Sequence, residues 1–162
     1  MKKLNPANVI GLREWIALPD LGVDDLRAKI DTGARTSALH ATDIKPFKRD
    51  GQSWVRFTAH FGTQADARSL ACEAPVISRK TIKSSTGHSQ SRYVIRTRLA
   101  LGTRCWPVEF TLTCRETMRY RLLLGSKALL EGQFLVDPGQ SHLQPKPQLP
   151  ANPIQPTPPG AE

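Results

Sequence analysis

The stretch "AKIDTGARTSAL", residues 28–39, decides how the rest of this chain is read. Leu26, Ala28 and Ile30 alternate with Arg27 and Lys29, the period of a strand with one face buried and one in water. The strand runs straight into Asp31-Thr32-Gly33, a carboxylate on a tight turn, after which an extended pattern resumes. An aspartate before glycine often accepts a backbone hydrogen bond two residues on, so turn formation alone accounts for the tripeptide. Its surroundings ask for more. Ala34 and Ser37 are small and Thr32 carries a hydroxyl, so backbones can approach closely there and a side chain can bond across a neighbouring loop. A second stretch, "RLLLGSKALL" at residues 121–130, is a leucine run ending on a glycine at a helix start, suited to lie buried behind such a loop.

The same alternation recurs along the chain. Val55, Phe57, Ala59 and Phe61 alternate with Trp54, Arg56, Thr58 and His60, and Tyr93, Ile95, Thr97, Leu99 and Leu101 repeat the pattern. Asp50-Gly51 and Gly102-Thr103 mark hairpin turns. Only Ser126 to Glu131, bracketed by Gly125 and Gly132, reads as a short helix. The expected architecture is all-β: a small closed or nearly closed antiparallel barrel with one short helix. Residues 1–8 form an N-terminal extension, 9–143 the domain, and 144–162 a proline-rich tail expected to be extended or disordered.

At 162 residues the chain fits one domain, with 39% hydrophobic and 23% charged residues, ordinary for a globular protein. The formal charge of +9 favours anionic partners: nucleic acid, a ribosome or an acidic peptide. The basic residues are scattered along the chain, which a solvated surface also explains. Met1-Lys2-Lys3-Leu4-Asn5-Pro6 lacks the long apolar run of a secretory leader, so a cytoplasmic protein without a membrane span is expected. Cys72, Cys105 and Cys114 form an odd set without a C-x-x-C pair, which suits reduced thiols.

Taken together, Asp31-Thr32-Gly33-Ala34 and the distant Leu122-Leu123-Leu124-Gly125 resemble the signature pair of retropepsin-type aspartic proteases. The likeness is closer to the bacterial RimB-like branch of retropepsin-like peptidases, formerly labelled an "ATP-dependent zinc protease". It is carried by residues 10–23, 28–41, 50–57, 72–77, 92–97, 106–125 and 132–138, covering about 9 to 143. The resemblance implies an acid-protease barrel, no cofactor, and Asp31, Thr32 and Gly33 as the catalytic loop. Leu123, Leu124 and Gly125 would brace that loop from behind. An aspartic peptidase needs two carboxylates close together sharing one proton, because like charges so near cannot both ionise. One Asp-Thr-Gly per chain therefore implies a homodimer through the active-site face, with Asp31 meeting Asp31 of the partner subunit.

Residues 78–93, "SRKTIKSSTGHSQSRY", are the expected flap. The resemblance also implies a substrate: glutamate residues added to a ribosomal protein tail by an ATP-grasp ligase. Arg35, Ser37, Lys83, His88 and Arg92 are the candidate substrate-binding residues, with Arg79 and Lys80 beside them. Relatives tend to carry Arg after the bracing glycine, whereas Ser126 stands here. No G-x-x-x-x-G-K-[ST] supports "ATP-dependent", and neither an H-E-x-x-H nor any His–Cys spacing supports zinc, so no metal is expected. Two rival readings stay open: a non-catalytic basic β-barrel binding ribosome or RNA, and a peptidase for another substrate. Against the first, aromatic content is only 6%.

Overall fold

The computed structural model describes residues 6–83, 86–114 and 120–147, leaving aside the side chains of residues 82 and 83. Among them the strands are β1 (Val9–Ile10), β2 (Arg13–Leu18), β3 (Val23–Ile30), β4 (Ser37–Arg49), β5 (Gln52–Gly62), β6 (Ala67–Lys83), β7 (Ser89–Leu101), β8 (Arg104–Thr113), β9 (Leu122–Leu124) and β10 (Leu135–Val136). The helix expected at Ser126–Glu131 is present as α1, and a single 3₁₀ turn spans Pro19–Leu21. One large sheet runs β2-β3-β9-β4-β5-β6-β7-β8, and further pairings of β2 with β7 and β4 with β8 curl it towards a barrel. The all-β fold is thus as read from the alternation.

Period two also chooses the core. Leu26, Ala28 and Ile30 are buried against Leu39, Phe57, Ile95, Leu99, Phe110 and Leu122, while Arg27 is exposed and Lys29 half-buried. At the β4–β5 turn Asp50 and Gly51 take φ of 51° and 77°, the left-handed pair that a two-residue hairpin requires. Trp54, expected on the outer face with Arg56, is instead 1% exposed. Its ring is covered from outside by the Arg49 guanidinium at 4.3 Å and by Phe47 at 6.3 Å, so β5 is buried on both faces there.

Most pairings are antiparallel, but β3–β9, β4–β8 and β1–β10 are parallel. Parallel partners need long crossovers, so no turn signal between neighbouring runs could announce them. One carboxylate ties the segment before β2 to the segment around Gln144. Glu14 is fully buried and accepts hydrogen bonds from the backbone N–H of Gly11, Leu143 and Gln144 at 2.8, 2.9 and 3.1 Å. Gln144 is itself buried and donates to the carbonyls of Pro6 and Val9, and Lys146 pairs with Asp25. The packed chain therefore continues to Lys146, past the boundary expected after residue 143. The rest of the proline-rich tail, from 148, lies outside the described residues.

A second ion pair fastens the 3₁₀ turn to β7. The Arg98 guanidinium donates to Asp20 at 3.0 Å through Nε, and this bond holds the Asp20 carboxyl below its usual range. A depressed folded-state pKa contributes stability above the unfolded value of about 3.9, and that contribution is lost as pH falls through the folded pKa. Asp20→Asn should therefore lower stability by about 1 kcal/mol at pH 7, the group being partly solvated. Denaturant unfolding of both proteins should show the gap closing as the solution is acidified below pH of about 4. Burial pushes the Cys72 thiol up to about 11, which makes it an inert core residue at neutral pH.

Candidate active site

The Asp31 corner is built by three strands. β9 lies between β3 and β4, parallel to the first (Ile30 beside Leu124) and antiparallel to the second (Ala38 beside Leu123). The loop 31–36 leaves β3 and returns as β4, so the strand pair that carries the aspartate straddles the leucine run. Leu122 and Leu124 are fully buried, which anchors β9, while Leu123 on the alternate face is half-buried.

Main-chain bonds then fix the corner. Asp31 N–H donates to the Leu124 carbonyl at 2.9 Å, so the residue begins where the β3–β9 ladder ends. Asp31 Oδ1 accepts from Gly33 N–H at 3.0 Å, the turn bond anticipated from the tripeptide. That bond orients one carboxylate oxygen and leaves the other unengaged by the loop. The first turn of α1 docks on the same loop, with Ser126 N–H donating to the Ala34 carbonyl at 2.7 Å and Lys127 N–H to the Arg35 carbonyl at 3.2 Å. Gly125 sits at the contact: a Cβ there would lie 2.5 Å from the Thr36 carbonyl oxygen and 2.7 Å from that of Ala34. With φ −93° and ψ 177° its backbone is ordinary, so it is glycine for closeness alone.

Asp31 is half-buried, and Thr32 and Gly33 are exposed on the outer side of the loop. Arg35 is exposed on the same loop. Ser37 departs from its expected substrate-binding role. It is 3% exposed, and its Oγ accepts from Gly125 N–H at 3.0 Å, so the hydroxyl is used in bracing loop against helix. Its small size was visible in the sequence; which neighbour it would bond was not, because Gly125 is far away along the chain.

The expected flap is a hairpin of β6 and β7, in which Lys80 stands opposite Arg92 and Lys83 opposite Ser89. Residues 84 and 85 and the Lys83 side chain lie outside the described residues, and His88 is exposed in the turn. Arg92 bonds Gln90 Oε1 at 3.1 Å. Arg79, on the alternate face, lies 5.1 Å over the Tyr93 ring. Lys80 shares a narrow cleft with Thr36, Ser37, Val94 and Lys127, so the hairpin base reaches the Asp31 loop.

Elsewhere, His40 is buried with its ring 5.2 Å from that of His60, and His60 Nε2 bonds Thr42 Oγ1 at 2.7 Å. Burial, then the nearby Arg121 charge, lowers the His60 pKa against an opposing pull from Asp43. Among the described residues, no three His, Cys, Asp or Glu side chains are grouped as a metal site. No helix among them is long and apolar enough to cross a membrane.

Three comparisons with known proteins bear on this geometry. The crystal structure of a protein of unknown function from Legionella pneumophila superposes with a TM-score of 0.68 at 28% identity, covering 85% of this chain and 98% of that one. A protein of Shewanella pealeana named "Probable alpha-L-glutamate ligase" is 48% identical over 133 residues, and one of the same name from Desulfotalea psychrophila is 42% identical over 131. The matched part is 82% of this chain but 29% of the Shewanella protein, so the chain spans under a third of that relative's length. The family profile described as "Retropepsin-like aspartic endopeptidase RimB" matches residues 9–147, which takes in the Asp31 loop, the β9–α1 brace and the docked segment up to Lys146. The chain belongs to this RimB-like family.

Proposed function

We propose that the chain is an aspartic peptidase whose dyad is Asp31 from each of two subunits, acting on glutamate-rich tails such as that of a glutamylated ribosomal protein. One observation carries this reading. A single aspartate is held by Gly33 N–H at the open side of a loop braced from behind by Leu124 and Gly125, with Thr32 and Gly33 facing outward. In the dimer, a water between the two carboxylates gives a proton to the ionised one while the protonated one donates to the substrate carbonyl oxygen. Collapse of the resulting diol returns a proton to the departing nitrogen. Exposed apolar residues on the surface suit a self-complementary interface: Leu130 on α1, the helix whose first turn docks on the loop, is 78% exposed.

The substrate class follows from charge and company. Arg35 beside the dyad and Lys80 and Arg92 on the hairpin offer donors to carboxylates. The relatives named as α-L-glutamate ligases carry a stretch like this one beside a longer region, which fits a domain that acts on the polymer such a ligase would make. A ribosomal substrate would place the activity in the cytoplasm. Purified protein incubated with a glutamate-extended peptide should release shortened products seen by mass spectrometry. The rate should fall severalfold as salt is raised from about 0.05 to 0.5 M, since exposed charges are screened over roughly 10 Å at 0.1 M. A rate indifferent to salt would remove the electrostatic part of the proposal.

The ligase names also favour a second reading, a non-catalytic module that holds a glutamate tail. Tight binding of the extended peptide with no product from wild-type dimer would select it.

A further inference from the structure

We propose that the outer face of β2, β3 and β9 is a second anion-binding track, which holds the part of an acidic chain lying beyond the bond to be cut. The proposal rests on the peptidase reading for its substrate, but its residues are separate from the Asp31 loop and the flap. In the β2–β3 register Arg13 stands opposite Lys29 and Trp15 opposite Arg27. Glu14, Ile16, Ala28 and Ile30, at the intervening positions, are buried, so these four residues share the outward face. On the other side of β3, Ala28 pairs with Leu122, which brings Arg121 next to Arg27. The face ends in a groove of about 540 Å³ lined by Arg27, Phe61, Thr63, Gln64, Tyr120 and Arg121 among others.

Several arginines elsewhere on the surface are matched to carboxylates. Arg49, Arg56, Arg68, Arg96 and Arg98 each reach a carboxylate. Among the described residues, Arg13, Arg27, Lys29 and Arg121 make no ion pair with a carboxylate, and Arg13 Nε is buried without a hydrogen-bond partner. Among the described residues, the following carboxylates are engaged elsewhere. Asp24, Asp25 and Asp66 are drawn to Arg68, and Asp25 also holds Lys146; Asp43 stands near His60. Four cations gathered on one face, none matched to a carboxylate, have donors to spare for an external polyanion.

The aromatic residues decide between an acidic peptide and a nucleic acid. Tyr120 has the Arg13 guanidinium at 5.8 Å and the Lys29 ammonium at 5.7 Å from its centroid. Trp15 has Arg27 at 5.7 Å and Lys146 at 4.4 Å. Cations thus already stand over both rings, so they are poor platforms for stacking bases, whereas a cation over a ring can still pair with a carboxylate. Geometry ties the track to the dyad. Four residues of extended chain separate Arg27 from Asp31, about 13 Å at a rise of roughly 3.3 Å per residue. An acidic tail lying along β3 would need some four or five residues to reach the groove, so the track would sense tail length.

The test uses the full chain carrying Asp31→Asn, to prevent turnover, and fluorescent di-, tetra-, hexa- and octaglutamate followed by anisotropy. Affinity should climb with length, and adding Arg27→Gln with Arg121→Gln should weaken octaglutamate roughly tenfold while leaving diglutamate unchanged. Lys45→Gln with Lys48→Gln removes the same charge from an exposed stretch of β4 and should change neither. Circular dichroism checks that each variant is folded. The inference is overturned if the two pairs of substitutions act alike on octaglutamate. It is also overturned if a uridine octamer binds more tightly and loses more in the Arg27/Arg121 variant, which makes the surface an RNA site. Wild-type protein that cleaves nothing, with the length effect intact, defeats the peptidase reading alone; normal cleavage with no length effect defeats the track alone.

Discussion

Asp31→Asn is expected to reduce cleavage of a glutamate-extended peptide by at least about 10³-fold, because the amide can neither accept the proton of the attacking water nor donate one to the carbonyl. The fold should be almost untouched. Asp31 is half-buried, and its one loop bond, from Gly33 N–H to Oδ1, can be kept by the asparagine carbonyl. The thermal midpoint should therefore stay within a degree or two of wild type. Mixing carries the test further. If wild-type and Asp31→Asn chains exchange freely, only wild-type pairs hold an intact dyad, so activity should follow the square of the wild-type fraction. A linear dependence would mean that each chain works alone, and the dimeric mechanism would fail.

Gly125→Ala should be the most damaging single methyl at the site. The added Cβ would stand 2.5 Å from the Thr36 carbonyl and 2.7 Å from that of Ala34, both backbone atoms. Neither can withdraw without disturbing the bonds from Ser126 N–H to Ala34 and from Gly125 N–H to Ser37 Oγ. Overpacking of this kind costs about 3 kcal/mol, at the upper end of the usual range. For a domain of this size that is a fall of about 6–12 °C in melting temperature. Activity should drop as well, since the loop bearing Asp31 must shift to relieve the clash. Gly51→Ala is the comparison: open space surrounds that position, and the cost is only that of φ +77°, roughly 1–2 kcal/mol. Equal losses at the two positions would show that helix-to-loop contact is not what Gly125 is for.

The parts of the fold legible in advance were those written in short-range patterns. Alternation at Leu26, Ala28 and Ile30 set the buried face of β3, because side chains on a strand must alternate whatever the strand pairs with. Asp50-Gly51 marked its turn because left-handed φ values are cheap at few residue types. Trp54 defied the same rule. Its outer face is covered by Arg49, a residue whose position relative to Trp54 depends on the hairpin and not on periodicity. Ser37 was read as a candidate for substrate and proved to be a brace, since its partner Gly125 arrives only when β9 inserts between β3 and β4.

From the amino-acid order alone came the strand that delivers Asp31 and the turn bond that holds it, since each is enforced within a few consecutive residues. Tertiary structure decided the rest: the parallel insertion of β9, the Glu14 clasp that carries the packed chain on to Lys146, and the gathering of Arg13, Arg27, Lys29 and Arg121 on one face. Those features join residues far apart in the chain. Their free energy is realised only on closure of the sheet, when buried groups lose water and must find partners whose identity no local pattern encodes.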